Sequence, residues 1–115
     1  MADRKATANA RTLPTVMAVG AGTELTGRCR TAATAAKAFF EWTDVANAAT
    51  SAARCRPLVL VISEDVYAFD ASEFEALARD IRARLVRVDE DVSVNVLEPM
   101  VRNALVEAAK TRGGS

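Results

Sequence analysis

Short runs of consecutive apolar, β-branched residues alternate along this chain with longer alanine-rich stretches whose apolar positions recur every three or four residues. The alternation repeats four times and fills nearly all of the chain between Thr15 and Arg112. Because the apolar runs are unbroken, they predict strands buried on both faces, and such strands require helices above and below a parallel sheet. The expected class is therefore α/β.

Thr15 to Val19, Ala38 to Trp42, Leu58 to Ile62 and Leu85 to Val88 read as the four strands. After the first, Gly20-Ala21-Gly22 turns the chain into a helix on Leu25, Cys29, Ala32 or Ala33, and Ala36. Thr43-Asp44 offers an N-cap for a second helix over Val45 to Arg54, whose inner face is almost all alanine and permits close approach to the sheet. Pro57 suits the start of the third strand, which is expected to be central. Ser63-Glu64-Asp65 and a connection through Tyr67 and Phe69 lead to Ser72, which with Glu75 forms a capping-box pattern for a helix on Phe74, Leu77, Ala78 and Ile81. Asp89-Glu90-Asp91 ends the fourth strand. The last helix, roughly Leu97 to Lys110, carries Leu97, Val101, Leu105 and Ala108 on one side, with Pro99 either in its first turn or kinking it. Right-handed crossovers then favour a four-stranded parallel sheet of order 2-1-3-4 with helices on both faces, as in flavodoxin-like and receiver-like folds.

A chain of 115 residues forms one domain, here 14–112, and buries roughly 65% of its unfolded surface. Residues 1–13 have no periodic apolar face and read as a flexible leader, and 113–115 as a flexible tail. Basic and acidic residues balance at 15 each, so no global field draws the chain to nucleic acid or an anionic membrane. No apolar run approaches the roughly 20 residues that span a bilayer, and no secretory signal is evident, so a cytoplasmic location without membrane insertion is expected. Cys29 and Cys55 fall in helical patterns and read as packed thiols rather than a bridge. Histidine is absent, which removes the commonest general base and the commonest transition-metal ligand together.

The carboxyl edge of such a sheet is where chemistry is usually carried. Gly20-Ala21-Gly22 stands in the place of a dinucleotide loop, but Leu25 occupies the third glycine's position and no acid is placed to hold a ribose, since Glu41 lies inside its strand and Asp44 is a cap. These read as turn glycines, and no cofactor is expected. Glu64 and Asp65 after the third strand, with Asp89, Glu90 and Asp91 after the fourth, could converge on a divalent cation. The alternative is that they are solvated charges favouring the starts of following helices. The expectation is no metal, with Glu64 and Asp65 belonging to a surface that meets a partner.

Two families are similar. The length and order of elements resemble response-regulator receiver domains, but the magnesium-binding acids of that family are replaced by Gly20 and Ala21, its acceptor aspartate by Ile62 or Ser63, and its lysine by Glu98 before Pro99. That resemblance implies a pseudo-receiver that cannot be phosphorylated and serves only to dock. A second resemblance covers residues 15–110 and is to the F component of the central stalk of V-type and A-type ATPases. It rests on Ala18-Val19-Gly20 followed by Thr26-Gly27-Arg28-Cys29-Arg30-Thr31-Ala32, on Leu60-Val61-Ile62-Ser63-Glu64-Asp65-Val66, and on Met100-Val101-Arg102-Asn103-Ala104-Leu105. It implies a non-catalytic stalk protein that docks on the coiled-coil D component of the same stalk, with the last helix contributing. Met100, Arg102, Asn103 and Val106 are then the partner-facing residues expected on that helix.

Overall fold

The computed structural model describes residues 13–113. Four strands form one parallel sheet: β1 (Thr15–Val19), β2 (Phe39–Thr43), β3 (Val59–Ser63) and β4 (Arg84–Val88), in the order β2-β1-β3-β4. They are joined by α1 (Thr23–Ala35), α2 (Ala48–Cys55), α3 (Glu64–Phe69) and α4 (Ala71–Ile81), and the chain closes with α5 (Val94–Gly113). The class and strand order are those the apolar runs predict. β1 and β3 are the inner pair, and Val16 and Ala18 of β1 stand beside Val59 and Val61 of β3. Pro57, which has no amide to give the ladder, is buried just ahead of β3.

Side chains alternate across a strand, so the two faces of this sheet have separate cores. Val16, Ala18, Val59, Val61, Val86 and Val88 meet Leu25, Cys29, Ala32 and Ala33 of α1 and Leu97, Val101, Ala104 and Leu105 of α5. Ala108 is buried on the same helix, so the apolar side of α5 is the one its sequence spacing selects. On the opposite face Met17, Val19, Leu60 and Ile62 meet Ala48 and Ala52 of α2 and Phe74 and Ala78 of α4. Burying Leu25, Leu60 or Leu97 completely contributes about 1.5–3 kcal/mol each.

Several local expectations are corrected. The Tyr67–Phe69 connection lies in a helix, because the Ser63 hydroxyl accepts the Val66 amide at 3.2 Å and starts α3 at Glu64. Ser72 and Glu75 make no capping box. Asp70 stands at the N-cap of α4, and the Glu75 carboxylate instead accepts the Tyr67 hydroxyl at 2.7 Å. Thr43 is the last, buried residue of β2 and caps nothing, whereas Asp44 accepts the Asn47 amide at 3.0 Å and α2 begins later, at Ala48. The last helix begins at Val94 rather than Leu97 because Ser93 accepts the Val96 amide on its hydroxyl at 3.3 Å and the Leu97 amide on its carbonyl at 2.9 Å. Pro99 therefore sits in the second turn. That helix runs through Gly113, into the stretch read as a tail, while the leader up to residue 12 and residues 114–115 lie outside the described residues.

Candidate functional site at the carboxyl edge of the sheet

Doubly wound sheets bind ligands where strand order reverses, which here is the crevice above β1 and β3. The β1–α1 loop would have to offer free amides there. In this chain the loop is already bonded internally. The Gly20 amide donates to the Thr43 carbonyl at 2.8 Å, and the Gly22 amide donates to the Glu90 carboxylate at 3.3 Å. The Ala21 carbonyl accepts the Trp42 indole N–H at 2.9 Å and the Thr26 hydroxyl at 3.3 Å. Gly22 is the N-cap of α1, so Glu90 places its own negative charge where a phosphate would sit on that helix.

Apolar side chains also stand against Gly20. Gly20 has a φ of +67°, the left-handed region that favours glycine, and a Cβ there would lie 2.9 Å from Cγ2 of Val45 and 3.3 Å from Cγ1 of Val66. Val45 follows β2 and Val66 follows β3, so residues from three strand ends meet over the loop. Ser63, at the end of β3, is fully buried with its hydroxyl engaged by Val66.

The acidic residues do not converge. Glu64 pairs with Arg87 at 2.9 Å, Arg87 lies 3.9 Å over the Tyr67 ring, and Tyr67 reaches Glu75, so this network ties α3 and α4 to β4. Hydrogen bonding to Glu75 holds the Tyr67 phenol above its usual range, and Glu64 does the same for the Arg87 guanidinium. Asp65 is exposed beside this network, and Glu90 lies instead with α1, its carbonyl accepting Arg28 at 3.2 Å. Among the described residues no group of three or more carboxylates, cysteines or histidines is placed to hold a metal ion.

The α5 residues divide. Met100 is half-buried against the α1–α5 core, whereas Asn103, Val106 and Arg102 are exposed. The Arg102 guanidinium pairs with Glu98 at 2.8 Å and donates to the Ala35 carbonyl at the end of α1, at 3.4 Å. Of the four residues expected to face a partner, Met100 thus packs in part on the core and Arg102 bridges α5 to α1 from the surface. Cys29 and Cys55 are free thiols, and burial, helped by the Glu90 charge, pushes the Cys29 thiol up to about 12.

Sequence reasoning placed Glu90 at this edge but missed its bond to Gly22, and it missed Trp42 there altogether, because the partners of Trp42 and Glu90 are 21 and 68 residues away along the chain. It also missed an acidic row formed by the N-cap of α4 and the helix itself. Asp70, Glu73 and Asp80 stand with Phe74 and Leu77 around a cavity of about 390 Å³ shared with α2. The signal was present, since positions 70, 73, 77 and 80 are three, four and three apart and share one helix face.

No family model, curated protein or solved structure matches the chain. No helix among the described residues is long and apolar enough to cross a membrane.

Proposed function

We propose that this chain is a non-catalytic protein-interaction domain of the cytoplasm, and that it serves in the central stalk of a rotary ATPase, as the F component of V-type and A-type enzymes does, docked on a coiled-coil stalk protein. The single observation behind this reading is the internally bonded β1–α1 loop. The Gly20 and Gly22 amides go to Thr43 and Glu90, and Val45 and Val66 stand against Gly20, so groups that would meet a ligand in such a loop already have partners within the chain. A part that transmits force without turning over a substrate needs a stiff sheet and partner-facing helices, and it needs no acid–base machinery.

The same loop supports the pseudo-receiver reading, and buried Ser63 at the end of β3 is the observation that favours it, because a receiver's acceptor must be exposed and acidic. Two experiments decide. Magnesium-ATP, NAD and magnesium beryllofluoride, each titrated into the isotopically labelled chain, should leave the amide resonances of Gly20 to Gly22 and of Ser63 in place. Saturable shifts there at micromolar ligand would overturn the non-catalytic reading altogether. Co-elution with the coiled-coil stalk protein of the same organism separates the other two. A stable complex supports the stalk assignment, and its absence at micromolar concentrations transfers the case to the pseudo-receiver.

A further inference from the structure

The cavity between α2 and α4 lies on the opposite face of the sheet from α5. Its lining combines Phe74, Leu77 and Val45 with the carboxylates of Asp70, Glu73 and Asp80, and contains no basic residue. Among the described residues none of these three carboxylates has an ion pair. Val45 is 47% exposed, and Phe69, next in the chain to Asp70, is 87% exposed. Alanines of α2 form the other wall, and side chains this small let a third helix approach closely.

We propose that this groove docks a basic amphipathic helix of a partner protein, with apolar side chains entering between α2 and α4 and lysines or arginines meeting Asp70, Glu73 and Asp80. Charge chooses the occupant. An uncharged apolar segment would strip water from three carboxylates without replacing it, whereas a cationic one pairs each as it is covered. A helix suits the geometry because the two walls are themselves helices, and a third completes a layer between them. The proposal rests on the reading of the chain as an interaction domain and names one surface for it.

The probe is a synthetic Leu/Lys amphipathic helix of about four turns, titrated into the full labelled chain beside its Leu/Glu counterpart. Saturable shifts from Val45 to Ala49 and from Phe74 to Asp80 are expected with the lysine peptide, weakening as salt rises, and none with the glutamate peptide. The Asp70→Asn, Glu73→Gln, Asp80→Asn triple variant should bind at least about tenfold more weakly. Its unchanged melting temperature and spectrum would show the fold intact, and if it fails to fold, Glu73→Gln alone is compared by the same titration. Equal binding of both peptides, unaltered binding by the folded variant, or shifts confined to α5 or β2 would overturn the groove as the docking site. So would concentration-dependent shifts in the groove without peptide, since a second copy would then be its occupant. Movement of Gly20 to Gly22 by a nucleotide breaks the interaction reading, whatever the peptides do.

Discussion

On one face of the sheet α1 and α5 pack against each other as well as against the strands, whereas on the other α2 and α4 scarcely touch and leave a groove. The difference begins with length and side-chain size. α5 has 20 residues and α1 has 13, and Leu25, Leu97 and Leu105 fill the space between them and the sheet. α2 has eight residues and buries only Ala48 and Ala52. A methyl group removes little surface from water, so the second layer supplies less of the hydrophobic stabilisation and keeps more of its surface open. One layer is closed by two long helices, and the other leaves a groove between two short ones.

The severest test of that contrast is truncation. Leu97→Ala or Leu105→Ala in the first layer should cost about 2–5 kcal/mol in chemical denaturation, while Leu77→Ala, half-buried at the groove, should cost less than about 2 kcal/mol. Equal losses would mean that the layers share the load.

The two cysteines sharpen the same comparison, since Cys29 belongs to the first layer and Cys55 packs on the second. At pH 8 a thiol reagent should modify Cys55 in the native chain and reach Cys29 only after denaturation. The Cys29 thiol is raised in the folded chain from its ordinary 9.0 to about 12, so folding favours its neutral form. Its contribution to stability is therefore complete below about pH 9 and is lost as pH rises from there toward 12. Cys29→Ser, compared with the parent across that window in urea titrations, should flatten the alkaline decline. An unchanged decline would place the cause elsewhere.

Gly20 lies under Val45 and Val66, both from segments flanking the second layer. Gly20→Ala should cost about 1–3 kcal/mol, from the positive φ and from the contact with Val45. Adding Val45→Ala should restore only the steric share, and full recovery would show that the backbone conformation costs nothing. The smallest effect belongs to the α1 cap. Glu90→Gln should lower stability by less than about 1 kcal/mol, with the loss shrinking at high salt as a helix-end charge requires.

Local spacing made much of this protein legible. Thr15–Val19 reads as a strand because five apolar or β-branched residues follow one another, and Leu97, Val101, Leu105 and Ala108 lie on the packed side of α5 because their spacing follows the helical repeat. Capping was harder to read. Ser72 and Glu75 have the right identities and spacing, yet Tyr67 takes the Glu75 carboxylate, and nothing in a four-residue pattern reveals a competitor from the preceding helix.

The sequence by itself determined the class, the strand order and the inner face of each long helix, because these follow from periodicity and from the handedness that L-amino acids impose on crossovers. Tertiary structure alone decided the state of the carboxyl edge. Glu64 goes to Arg87, Glu90 goes to Gly22 and Trp42 goes to Ala21, each through contacts between segments far apart in the chain. It also decided that α2 and α4 stand apart with three carboxylates around the gap. Such contacts depend on where whole elements come to rest, and no local pattern of polar and apolar residues encodes that distance.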